Sequence, residues 1–176
     1  MKALAVIIIC LIIIGAVVIA LRSGSSQQEQ YLRIHIRANS NDASDQSVKY
    51  KVKEKVVEYM SPKLDNVSSK SQAMKILKAN LDGMKKVADA TLAQNGYAYT
   101  ANVKLCSEEF PVRTYGDLTL ESGVYDALII ELGSGSGDNW WCVVFPPLCF
   151  VGEESEDEDF EYKSFFKDIY DKFTQN

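Results

Sequence analysis

The sequence predicts an α+β fold: one exported domain with a mostly antiparallel sheet and two helices on one face, preceded by a transmembrane or signal helix. Three observations carry that expectation. Leu32, Ile34 and Ile36 alternate with Arg33, His35 and Arg37, the period of a half-buried strand. Two later stretches repeat apolar residues at helical spacing, and beyond Gly96 alternation and short apolar runs return. The resulting order is β-α-α-β-β-β.

After the first strand, Ala38-Asn39-Ser40-Asn41-Asp42 breaks the alternation and offers Asp42 or Ser44 as a helix N-cap, with Asp45 well placed for the helix dipole. Val48, Val52, Val56 and Tyr59 or Met60 then form one stripe, and Pro62 is expected to stop the helix. Ser69 and Gln72 have the spacing of a capping box. They open a second helix whose stripe is Ala73, Ile76, Leu77, Leu81, Met84, Ala88 and Leu92. Asn95-Gly96 ends it as a left-handed C-cap. Tyr97 to Leu105 alternates as a strand, Phe110 to Asp117 reads as irregular, and Glu121-Ser122-Gly123 reads as a turn. Val124 to Leu132 is a buried strand, the glycine-serine run 133–137 a flexible connection, and Trp140 to Phe145 the last strand.

The N-terminus sets the compartment. Ala3 to Leu21 is an unbroken apolar run, and a helix of that length spans about 30 Å, the hydrocarbon thickness of a bilayer. It reads either as an uncleaved anchor or as a signal peptide cut after Val18-Ile19-Ala20. Both readings export the rest of the chain. The expected organisation is therefore residues 1–22 as anchor or signal peptide, 23–30 as linker, 31–152 as the domain, and 153–176 as an acidic segment with an amphipathic helix.

Of the 176 residues, 47% are hydrophobic and 24% charged, the composition of a folded protein rather than a disordered one. The net charge is −5, and residues 153–176 carry nine of the 24 acids against three of the 19 bases, leaving the remainder near neutral. No basic footprint for nucleic acid exists. In the tail, Tyr162, Phe165, Phe166, Ile169, Tyr170 and Phe173 form a helical stripe that suits either the domain's own core or a partner.

Few residues suggest chemistry. His35 has no nucleophile or carboxylate beside it in sequence, so a surface or interface role is expected. The run 133–137 lacks the Lys-Ser/Thr of a phosphate loop. Cys142 and Cys149 flank two prolines able to reverse the chain; a disulfide, two buried thiols, and a metal or redox role all stay open. Cys106 is expected to be buried. No cofactor, metal or small-molecule substrate is indicated. The carboxylate pairs Asp42 with Asp45 and Asp117 with Asp126 would serve a cell-wall hydrolase if they converged in a cleft.

Three segments resemble the stage II sporulation protein R family of endospore-forming bacteria. They are Leu32 to Ser40 with Asp45-Gln46 following, Arg113 to Leu120, and Asn139 to Phe150, in order within residues 31–151. The acidic block and aromatic tail stand outside that resemblance. The resemblance implies a signalling ligand and not an enzyme. Such a ligand is exported from the forespore into the intermembrane space, anchored to the cytoplasmic membrane through residues 3–21 or secreted. There it would trigger a membrane-embedded aspartic protease that processes the precursor of sporulation sigma factor E. The alternatives are an extracytoplasmic hydrolase acting on cell wall and a structural septum protein. Because interface hot spots favour Trp, Tyr and Arg and binding residues favour loops, the candidate partner-binding residues are Arg113, Tyr115, Arg37, Asn39, Trp140 and Trp141, with His35 as an outside choice.

Overall fold

The computed structural model describes residues 27–116 and 118–149. The N-terminal apolar run, residues 23–26 of the expected linker, Asp117, and the acidic segment with its amphipathic helix lie outside the described residues. Among the described residues no helix is long and apolar enough to cross a membrane.

The chain is α+β. A short helix, α1 (Gln27–Gln30), leads into β1 (Leu32–Arg37). Three helices follow, α2 (Ala43–Leu64), α3 (Lys70–Ala79) and α4 (Leu81–Gln94), then β2 (Ala101–Phe110), β3 (Arg113–Tyr115), β4 (Leu118–Leu120), β5 (Gly123–Leu132) and β6 (Asn139–Phe145). The main sheet has the order β2-β5-β1-β6, and β3 and β4 form a separate hairpin. β5 pairs antiparallel with β2 and parallel with β1, while β6 runs antiparallel to β1. The sheet is mixed, with two of its three pairings antiparallel.

The alternation in β1 sorts its side chains as the sequence predicts. Leu32, Ile34 and Ile36 face the helices and join Val48, Val52, Val56, Met60, Leu77, Met84, Ala88 and Leu92 in the larger core. Leu128, Ile130 and Leu132 of β5 complete the floor of that core. All three long helices contribute to it, so one face of the sheet carries three helices where two were expected.

The additional helix arises at Asn80. Its side-chain amide donates to the Ile76 carbonyl at 2.8 Å, and the Tyr59 hydroxyl donates to its Oδ1 at 3.1 Å. Backbone at φ −117° and ψ 9° then divides the expected 69–95 helix in two. The start of α3 follows the capping signal: Ser69 Oγ accepts from the Gln72 amide at 3.2 Å, and Gln72 Oε1 accepts from the Ser68 amide at 3.1 Å. Asp42 occupies the N-cap of α2 without a side-chain cap bond. Pro62 does not stop α2, which continues to Leu64 because Leu64 is buried in the core.

Other departures are local. Residues 27–30, expected as linker, are tied to the domain: Gln27 donates to the Thr119 carbonyl at 3.2 Å and accepts from the Glu121 amide at 2.9 Å. The first strand after Gly96 begins at Ala101 and runs to Phe110, later than expected. Arg113–Tyr115, expected as irregular chain, pairs antiparallel with Leu118–Leu120 as a hairpin.

The 133–137 run is pinned, not flexible. It must cross the end of β1 to join β5 to β6, since β1 lies between them. Ser134 Oγ donates to the Asn39 carbonyl at 2.6 Å, and the Gly137 amide donates to the Ala38 carbonyl at 2.9 Å. A Cβ at Gly137 would strike the Ser40 backbone, and Gly133 holds a positive φ of 57°. Beyond β6, Cys142 and Cys149 are joined in a disulfide with Cα atoms 6.3 Å apart. Cys106 is a free, half-buried thiol on β2.

Candidate functional site

The second face of the sheet differs from the first. Phe110, Tyr125, Ala127, Ile129, Val143, Leu120 and Leu148 form a smaller core there, with Tyr115, Leu118, Cys106 and Trp141 packed against it. The β3–β4 hairpin supplies Tyr115, Leu118 and Leu120, so among the described residues the hairpin covers this side. Because β1 is central in the sheet, even its polar positions lie beneath the side chains of both neighbours. Arg33 is fully buried and His35 is 2% exposed. The expected surface role for His35 is thus corrected: the residue is polar by alternation and buried by position.

Arg33 sits among rings. Its Cζ lies 4.2 Å from the Phe110 centroid, 4.9 Å from Tyr125 and 5.9 Å from Tyr115. One terminal nitrogen donates to Tyr115 Oη at 3.0 Å, while Nε and Nη1 have no hydrogen-bond partner among the described residues. The quadrupoles of the rings take the place of a carboxylate, and a weakly hydrated guanidinium tolerates that exchange better than an ammonium. Burial pushes the Tyr115 phenol up, so it stays protonated beside the cation.

His35 and Arg37 share Glu108. His35 Nδ1 lies 2.9 Å from Glu108 Oε1, and Arg37 Nη2 bonds the same oxygen. Arg37 also donates to Glu131 at 2.8 Å. The His35 ring stacks on Trp141 with centroids 3.7 Å apart and meets Phe110 edge-on at 5.9 Å. Burial, aided by the Arg37 charge, holds the imidazole below its usual pKa; the bond to the Glu108 carboxylate only partly offsets this. His35 is therefore neutral at pH 7, with Nδ1–H donating to the carboxylate. Burial acts to raise Glu131, but bonds from Lys104 and Asn102 and the nearby charges outweigh it and keep its carboxyl below the usual range.

Five of the residues singled out in the sequence gather on this face. Arg37, His35 and Trp141 form the stacked, ion-paired group, Tyr115 caps Arg33, and exposed Arg113 places Cζ 5.6 Å from the Trp141 ring. Trp140 and Asn39 lie elsewhere. Trp140 points to the helix side, with Lys53 Nζ 5.7 Å from its ring, the opposite facing that adjacent strand positions require. Asn39 donates to Asp45 at 2.8 Å and accepts from the Ser134 amide at 3.0 Å, which makes it a brace for the crossing loop. Arg33, Glu108, Phe110 and Tyr125 escaped the sequence reading. Arg33 shares the alternation of His35 and Arg37, so its period was a usable signal; the other three come from β2 and β5, joined to the site only by strand pairing.

Of the carboxylates weighed as hydrolytic pairs, Asp117 lies outside the described residues. Asp45 accepts from Asn39, from Ser40 at 2.6 Å and from Tyr99 at 2.6 Å, and these bonds hold its carboxyl below the usual range. Asp126 is held by Lys70 at 2.9 Å and Ser107 at 3.0 Å. Asp42 is exposed at a helix N-cap. Among the described residues no group of His, Cys, Asp and Glu could hold a metal ion.

What the fold defines is an α+β domain whose sheet packs a helix-covered core on one face and, on the other, a hairpin-covered cluster of cations and aromatic rings. The chain belongs to the stage II sporulation protein R family, whose profile matches residues 28–155. It is similar to the stage II sporulation protein R of Bacillus subtilis (strain 168), 33% identical over 150 residues that cover 81% of this chain and 67% of the relative. No solved structure matches it. Membership assigns the protein to sporulation.

Proposed function

We propose that the protein is an exported intercellular signal of endospore formation, released or displayed between forespore and mother cell. It is not an enzyme in this reading; it switches on a membrane-embedded aspartic protease that processes the precursor of sigma factor E. Family membership and the apolar run 3–21 support export and the sporulation role. The observation that carries the recognition step is the hairpin-covered face, where exposed Arg113 lies over half-buried Trp141 beside the His35–Glu108–Arg37 group. Arg and Trp at the edge of a packed patch are the residue types that dominate binding energy at interfaces.

The test is processing of the sigma precursor in membranes that hold the protease, with and without the full-length chain. Processing that depends on the chain supports the proposal. Equal processing without it, or cleavage of peptidoglycan by the chain alone, overturns it.

A further inference from the structure

The two outer edges of the main sheet are treated differently. β6 is closed off: a bulge interrupts its pairing near Leu32 and Arg33, Cys149 Sγ takes the Val143 amide at 3.1 Å, and two prolines follow the strand. β2 has none of these devices. It pairs with β5 in unbroken register over all ten residues, with no proline and no bulge. The Ala101 amide points away from β5, since it donates to Asp89 Oδ1 at 2.7 Å. By alternation Val103, Leu105, Ser107 and Glu109 turn their N–H and C=O groups the same way, and among the described residues these groups have no backbone partner. A long, flat, uncovered edge is a template for another strand.

We propose that this edge is a self-association surface, where β2 of one copy pairs antiparallel with β2 of a second copy about a twofold axis at Cys106. The free stretch 103–109 has its midpoint at Cys106, so this register uses all of it. Leu105 then exchanges backbone bonds with Ser107 of the other copy, and Val103 with Glu109. On the adjoining positions Lys104 comes opposite Glu108, twice by symmetry. A shift of the axis to residue 104 or 108 sets lysine on lysine or glutamate on glutamate, which is destabilising in cross-strand pairs. Glu108 already bonds Arg37, and Lys104 already bonds Glu131, so the new contact extends an alternating charge network across the join. Cys106 faces itself at a site without backbone bonds, where Cα atoms lie about 4.5 Å apart, within the span a disulfide accepts. This inference is independent of the receptor reading, and an isologous interface is the commonest symmetry for a homodimer.

The experiment uses the full-length chain in detergent micelles, exposed to copper-phenanthroline and oxygen. Two Cys106 thiols give up two protons and two electrons to the oxidant and form one intermolecular bond. Peptide mapping should find Cys106 linked to Cys106. A Cys106→Ser, Ser107→Cys chain should not link through residue 107, because that residue lies about 8 Å from its own symmetry mate, from the strand spacing and rise. Glu109→Pro removes an outward N–H at an exposed position of β2 and should raise the concentration needed for dimer by about tenfold, with a nearly unchanged unfolding midpoint. A chain that stays monomeric by light scattering at all concentrations overturns the proposal, and so does equal linking through residue 107. Protection of the edge in a monomer, as when residues 150–176 cover it, counts equally against it.

Discussion

β1 presents two faces of opposite character within six residues. Ile34 and Ile36 are buried among helices, where close packing carries the stability. Arg33 and His35, one step away in sequence, are buried as deeply, yet among rings and carboxylates under a small hairpin. The first arrangement is a core that any well-shaped apolar set could fill. The second retains charges that packing does not need, and buried ionic groups are weak evidence for stability. On the proposed function, the contrast divides the labour of the sheet: the helix side would hold the fold, and the hairpin side would recognise.

Substitutions test that division. The largest effect is expected for Ile34→Ala, which leaves a cavity in the larger core and should cost about 3 kcal/mol in urea unfolding while leaving signalling per folded molecule intact. Next, Cys142→Ser with Cys149→Ser should cost about 2 kcal/mol, because the loop closed is short. Reductant should destabilise the wild-type chain by a similar amount and the double variant not at all.

A smaller effect is tied to pH. The folded His35 pKa lies below its unfolded value, so below about pH 6.5 the unfolded chain takes up a proton that the folded one refuses. This contribution to stability is complete above that pH and is lost as pH falls toward the folded pKa. Urea midpoints at pH 7.5 and 5.5 should differ less in His35→Gln than in the wild type. Smallest of all, Arg33→Met should change stability by less than about 1 kcal/mol, since an apolar side chain of similar volume relieves two unpartnered nitrogens. A large loss would mean that the guanidinium serves the fold and that the two faces differ less than their chemistry suggests.

Much of the helix side was legible. Period-2 alternation in β1, the Val48-Val52-Val56 stripe, the Ser69–Gln72 cap and the left-handed Gly96, at φ 82°, each follow from local physics. Polarity misled on the other side. Alternation shows which side chains share a face, but only strand order shows whether that face is wet, and the parallel β1–β5 pairing joins residues about 94 apart in sequence. The break at Asn80 depends on Tyr59 from another helix, and the hairpin on residues too few to show a period. Of the candidate site, Arg113, Tyr115, Arg37, His35 and Trp141 were reachable from residue type. Their convergence was not. Tyr115 also bonds Arg33, so an alanine there disturbs packing as well as recognition.

Arg113 offers the cleanest probe, being exposed and, among the described residues, bonded only to the neighbouring Val112 carbonyl besides its contact with Trp141. The decisive measurement is the rate of sigma precursor processing driven by full-length Arg113→Glu, set beside Lys86→Glu, the same charge change at an exposed position of α4. The account predicts at least about a tenfold loss for Arg113→Glu, the scale of one interface hot spot. Lys86→Glu should match the wild type, with unfolding midpoints of both variants unchanged. Equal processing by Arg113→Glu and the wild type would contradict the assignment of recognition to the hairpin side.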